Sequence, residues 1–216
     1  MTQVISLTSD TEAVKYLCKK DKRLSKVIKM VGDYTYKPYE DSFSFLTNQI
    51  IGQMLSAKVS AKISERLEAF CQGKITPKAI LELDVNDMRS TGMSMIKANN
   101  IRNLAITVQN NDVSFEKLNH LDDSEVIREL TKLRGIGVWT AKMYLIFVLD
   151  RKNVLPYEDM AFIQTYSWMY KTTDVTRKSI EKKCDKWRPY TSIGARYLYK
   201  ALDLGLTKTE FHLYKD

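Results

Sequence analysis

Apolar residues recur along most of this chain at intervals of three and four, the spacing that lines one face of a helix. Leu24, Val27, Ile28 and Val31 keep that spacing until Gly32 stops it. Upstream, Ser9 and Glu12 have the spacing of a capping box before "AVKYL". The stretch "DSFSFLTNQIIGQML" reads as a buried helix with Phe43, Leu46, Ile50 and Met54 on one side. Ser56 then caps a further helix carrying Val59, Ile63, Leu67 and Phe70. Thr76-Pro77 pairs a cap with proline at a first helical position. "SMIKANNIRNLAITV" places Ile96, Leu104 and Val108 beside Ile101, and "DSEVIRELTKL" is short and amphipathic. Residues 160–170, 177–187 and 191–203 read as helices again. No convincing period-two alternation, internal repeat or low-complexity tract interrupts them, so the expected class is all-α.

Charge changes this picture. The formal net charge is +8, from 34 basic and 26 acidic residues, a balance that favours polyanionic partners. Cys18, Cys71 and Cys184 are scattered and odd in number, as expected of a reducing compartment. With only His120 and His212 beside them, no zinc spacing exists, and a four-cysteine iron–sulfur cluster is excluded. "MTQVISLTSD" lacks the basic and apolar regions of a signal peptide, and the run around "MYLIFVL" is too short to span a bilayer. A soluble, intracellular protein (cytoplasm or nucleoid, or nucleus in a eukaryote) without membrane contact is expected.

The densest local signal is "LRGIGVWTAKMYL". Gly135 and Gly137 can turn the chain between two short helices, and their missing side chains let a phosphate approach the amides opening the next helix. An ordinary turn between helices is the competing reading; Leu133, Ile136 and the Thr140-Ala141 pair favour a helix–hairpin–helix. Beyond one further helix and a loop with Pro156 comes Glu158-Asp159. A carboxylate at Asp159 sits at a helix start, where the dipole favours its ionised form. Taken alone, Asp159 is better explained as a helix cap; coupled to the hairpin, the balance reverses.

Hairpin and aspartate together resemble the helix–hairpin–helix, glycine/proline-rich loop and aspartate signature of base-excision DNA glycosylases, most closely their 3-methyladenine DNA glycosylase II branch. "FSFLTNQIIGQMLSAKVSAKISERL", "MSMIKANNIRNLA" and "KWRPYTSIGARYLYKAL" are similar to segments of that family in the same order, so the likeness covers residues 40–205. The N-terminal sheet domain of the larger members finds no match in residues 1–40. The resemblance implies two helical lobes flanking a cleft. Residues 42–150 would form the middle lobe, and 1–41 with 151–216 the other.

It also implies roles. Asp159 would be the catalytic carboxylate, with Glu158 facing solvent. Gly135, Gly137, Val138 and Thr140 would hold the DNA backbone. Met54 would fill the vacated base stack and Gln53 reach the opposite strand, although two buried helix-end residues explain that pair nearly as well. Trp139, Met143 and Tyr199 would line the base pocket; for the aromatics a plain core role stays open. Met143 stands where a relative has a tyrosine, and Thr191 where relatives often have arginine. The carbonyls of Thr131, Leu133 and Ile136 match positions that hold a monovalent cation, Na+ or K+, and no other cofactor is implied. Bifunctional relatives carry a lysine two residues after the second hairpin glycine. Here Trp139 stands there, and Lys142 is the nearest lysine. The expectation is a monomeric, monofunctional hydrolase that excises alkylated purines from damaged double-stranded DNA. A glycosylase/lyase for oxidised bases and a non-catalytic DNA-binding module are the alternatives.

Overall fold

The computed structural model describes residues 4–214; residues 1–3 and 215–216 of the expected terminal lobe lie outside them. The chain opens with β1 (Ile5–Leu7), α1 (Glu12–Lys20), α2 (Lys22–Val31) and β2 (Tyr34–Tyr36). Next come α3 (Ser42–Gly52), α4 (Ala57–Phe70), α5 (Pro77–Glu82) and α6 (Val85–Ser90). They are followed by α7 (Met95–Gln109), α8 (Phe115–Leu118), α9 (Asp123–Thr131) and α10 (Val138–Phe147). α11 (Met160–Tyr170), α12 (Arg177–Cys184) and α13 (Thr191–Asp203) complete the helices. The expected class is what the molecule has: helices dominate. No helix among the described residues is long and apolar enough to cross a membrane.

The chain divides into two compact units, Met1–Pro38 with Asp150–Asp216, and Tyr39–Leu149. In the first, the terminal unit, Leu17, Leu24, Val27, Phe162, Tyr166, Trp187 and Leu198 form one buried apolar cluster. α13 is buried from Thr191 through Leu198. It comes that close because Gly194 has no side chain, since a Cβ there would lie 2.8 Å from the Trp187 ring. Asp21, only 2% exposed, caps α2 through the amides of Arg23 and Leu24. It also accepts from Trp187 Nε1 at 2.9 Å, from the Tyr170 hydroxyl and from Lys186 Nζ at 3.0 Å. Burial alone would raise its pKa, but those donors and the Lys186 charge outweigh it and hold the carboxyl below its usual range.

In the second, the middle unit, Leu46, Ile50 and Ile51 of α3, Ile101 and Leu104 of α7 and Val126 and Leu130 of α9 are buried. α10 is buried on all sides from Thr140 to Ile146, as its largely apolar sequence favours, with Lys142 the one charged residue among them. A 2.8 Å hydrogen bond joins Ser42 Oγ to the Tyr144 hydroxyl across α3 and α10.

Several expectations need correction. β1 and β2 form an antiparallel ribbon, Ile5 opposite Tyr36 and Leu7 opposite Tyr34; three-residue strands are too short to show a period. The helix after Ser9 starts later, with Thr11 at its cap and no side-chain capping bond, because the Thr11 hydroxyl accepts instead from the Thr8 amide. Val59, Phe70 and Ile96 are exposed. The helix expected through residue 187 tightens into a 3₁₀ turn at Asp185–Trp187.

Candidate active site

α9 ends at Thr131 and α10 begins at Val138, and the hairpin between them turns on Gly135. Its φ is +82°, and a Cβ there would lie 2.5 Å from Asn100 Nδ2, so glycine is required twice over. Ile136 is buried, and its amide donates to the Leu133 carbonyl at 3.1 Å. Gly137 differs from what the sequence suggested. Its φ of −99° is open to any residue, and a Cβ there meets nothing within 4 Å. The fold does not require glycine at this position. Gly137 caps α10 with no side-chain hydrogen bond, so no side chain of its own covers the positive end of the helix. Val138 is exposed, whereas Thr140 as a whole is 1% exposed. Of these two expected backbone-binding residues, only Val138 presents surface to a ligand.

α3 stops at Gly52, earlier than its apolar spacing suggested. The amide of Leu55 donates to the Gly52 carbonyl at 3.1 Å, with Gln53 at φ −53°, ψ 127° and Met54 at φ 59°. This is a type II turn with methionine where glycine is the usual residue. Met54 is thus not on the buried face of α3; its side chain is 101% exposed. A left-handed non-glycine residue costs about 1 kcal/mol or more and tends to mark a functional site. Gln53 turns its amide inward, donating from Nε2 to the Gly135 carbonyl at 2.8 Å.

In the terminal unit the loop before α11 is fastened by α13. The Ser192 amide donates to the Lys152 carbonyl at 2.9 Å, and Ser192 Oγ accepts from the Val154 amide at 2.9 Å. The Thr191 hydroxyl meets Asn153 Oδ1 at 3.1 Å, so threonine here ties down the loop. That loop delivers Asp159 to the N-cap of α11, where Oδ1 accepts from the Phe162 amide at 2.8 Å. Asp159 is 8% exposed. The Tyr199 hydroxyl lies beside it. Burial pushes the Tyr199 pKa well up, and the charge of Asp159 and the hydrogen bond to it push the same way. Glu158 is half-buried and bonded to the Tyr157 hydroxyl, so it does not simply face solvent.

Asp159 and Tyr199 are therefore neighbours in the terminal unit, and Gln53 and Gly135 in the middle one. Trp139 is half-buried on α10; Met143 is buried, as is Lys142, at 8% exposure. Thr131 is the last residue of α9, and its hydroxyl turns back to the Ile127 carbonyl at 2.8 Å. Sequence reasoning missed Arg196, whose guanidinium lies 3.8 Å over the Tyr36 ring and 3.3 Å from Asp150 Oδ1. It also missed Lys97 and Asn100. Their i,i+3 spacing on α7 was the available signal.

A family model described as "HhH-GPD superfamily base excision DNA repair protein" matches residues 48–189. DNA-3-methyladenine glycosylase 1 of Schizosaccharomyces pombe is 29% identical over 209 residues, 92% of this chain and 90% of the relative. The crystal structure of a DNA-3-methyladenine glycosidase from Bacillus halodurans is similar at a TM-score of 0.82 and 27% identity, covering 97% of each chain. The S. pombe 3-methyladenine DNA glycosylase Mag1, solved in complex with abasic DNA, is similar at 0.81 and 25%, covering 95% of this chain and 100% of that one.

Proposed function

This chain belongs to the HhH-GPD superfamily of base excision DNA repair proteins, and we propose that within it the protein is a monofunctional DNA glycosylase releasing alkylated purines from duplex DNA. The observation that carries this reading is Asp159. It is a nearly buried carboxylate on a loop held by α13, downstream of a hairpin whose helix start is left uncapped. The relatives from S. pombe and B. halodurans, both named for 3-methyladenine, support the substrate class, and the S. pombe one, solved with abasic DNA, supports the partner.

The chemistry follows from charge. An alkylated purine is already cationic, so the C1′–N bond breaks with its electron pair going to the base. The sugar is left oxocarbenium-like. Asp159 stabilises that positive charge and takes the proton of the water that attacks C1′. The products are a free base and an intact abasic strand. Tyr199, protonated throughout, steadies the carboxylate. The start of α10 after Gly137 holds a backbone phosphate, and Met54 enters the stack that the flipped base vacates. Trp139 and Met143 belong to the base pocket in this reading. A lyase would need a lysine amine at the site; Trp139 occupies that position, and Lys142 is buried within α10. Thr131 ends α9 and Leu133 lies in the turn after it, where the Leu133 carbonyl accepts from the Ile136 amide and keeps a second lone pair. With Ile136 they suit a monovalent cation, which would add positive charge beside the phosphate. A monomer working inside the cell completes the proposal.

The test is chromatography of bases freed from dimethyl sulfate-treated duplex DNA. Methylated purines should be released, strand breaks should appear only after hot alkali, and borohydride should trap no protein–DNA adduct. Release of oxidised but not methylated bases, or a trapped adduct, would overturn the reading.

A further inference from the structure

Three elements of the middle unit meet at one helix face. Lys97 on α7 reaches the end of α3 and donates from Nζ to two carbonyls, Ile51 at 2.8 Å and Gln53 at 2.7 Å. An ammonium there satisfies acceptors that the helix end leaves open, at the negative pole of its dipole. It also fixes the residue immediately before Met54. One helical turn along the same face, Asn100 fills the space a Gly135 Cβ would occupy. Gln53 Nε2 closes the third side by donating to the Gly135 carbonyl at 2.8 Å. Lys97 gives up hydration to do this, which lowers its pKa.

We infer that Lys97 is a positioning residue for base flipping: with Gln53 it locks the Met54 turn to the Gly135 hairpin, so that the residue entering the base stack and the amides gripping the backbone move as one body. The inference rests on the proposed glycosylase reading for its biological setting. The geometry explains an otherwise odd arrangement, a strained and wholly exposed methionine whose neighbours are fastened by three hydrogen bonds. A loose turn would spread the Met54 side chain over many positions and insert it less often. Holding it leaves less ordering to be done when DNA binds.

The experiment compares one 7-methylguanine in two duplexes, paired with cytosine or placed opposite a tetrahydrofuran abasic analogue, where no partner base has to be parted from it. Lys97→Met keeps the length of the side chain and removes the donors. Single-turnover release should fall about tenfold on the paired lesion and stay within about threefold of wild type on the other. Met54→Ala should show the same split, the double variant should be no slower than Met54→Ala alone, and Lys97→Arg should recover most of the rate. A Lys97→Met rate equal to wild type on the paired lesion, an equal loss on both duplexes, or losses that multiply in the double variant would overturn the inference. Gln53→Met cuts only the bridge to Gly135 and should give the same split, which decides the matter if Lys97→Met does not fold. A second readout needs no catalysis: 2-aminopurine paired with thymine should brighten on binding wild type and less so with Lys97→Met, while opposite tetrahydrofuran the two proteins should brighten it alike. Were wild type to release no base, the glycosylase reading would fail while this fluorescence comparison still judged Lys97.

Discussion

Asp21 and Asp159 both cap helices of the terminal unit, and both are nearly out of reach of water. Their surroundings part them. Asp21 meets an ammonium, an indole N–H and a phenol besides its two capped amides. Asp159 accepts from the Phe162 amide and lies beside the Tyr199 hydroxyl, with the acidic Glu158 next in the chain. The first aspartate ties α2 to the Tyr170, Lys186 and Trp187 side chains; the second caps the start of α11 beside a phenol. The two hairpin glycines repeat the contrast. Gly135 is demanded by its left-handed backbone and by Asn100, while Gly137 sits in ordinary backbone with open space where a Cβ would go. Of the two glycines, the one that the structure does not need is the one assigned to DNA.

The largest effect should come from Asp159→Asn. Asparagine caps a helix as well as aspartate, so thermal unfolding should shift little. Base release should drop at least a hundredfold, about 2.7 kcal/mol of barrier. Parallel losses of activity and stability would erase the distinction from Asp21. For Asp21→Asn the expected order is reversed: about 2–4 kcal/mol lost in urea unfolding, because Lys186 and the other donors keep a partner that no longer carries charge. Activity per folded molecule should survive.

pH sharpens the same contrast. The Asp21 carboxyl is held below its unfolded value, so its contribution to stability is fully present above a pH of about 4 and is lost as pH falls through its lower native value. The urea midpoint should therefore fall less between pH 5 and 3 (about two decades of proton activity) in Asp21→Asn than in wild type; identical falls would remove the network from acid sensitivity. Smaller effects separate the glycines. Gly135→Ala should cost about 1–2 kcal/mol of stability from its positive φ and the Asn100 clash. Gly137→Val should leave stability within about 0.5 kcal/mol of wild type. It should weaken DNA binding alike for all sequences, and the log–log salt slope should flatten by about one unit if a phosphate contact is lost. A Gly137→Val protein that binds normally would take the hairpin out of the DNA interface.

Much of this was readable from the sequence where periodicity ran long. The helices expected at residues 160–170 and 191–203 are α11 and α13 to the residue, since buried helices announce themselves by their apolar content. Asp159 at a helix start was legible for the same reason, followed as it is by a clear apolar run. What escaped depended on partners distant in the chain. Met54 continues the apolar spacing of α3, and only the Lys97 ammonium, 43 positions on, shows that the helix has already ended. Gly137 and Gly135 look alike as letters; one faces Asn100 and the other faces nothing. The β1–β2 ribbon offers too few residues for an alternation to register.

The terminal unit is assembled from both ends of the chain, and that has a consequence for synthesis. As the ribosome works, α1 and α2 emerge first, with Leu17, Leu24 and Val27 uncovered and Asp21 without Tyr170, Lys186 or Trp187. The middle unit is contiguous and can close as soon as Leu149 clears the exit tunnel. The N-terminal helices must wait for α11 and α13, on the order of 5 s later at ordinary elongation rates. During that interval their apolar faces are the part of the nascent chain with most to gain from a chaperone.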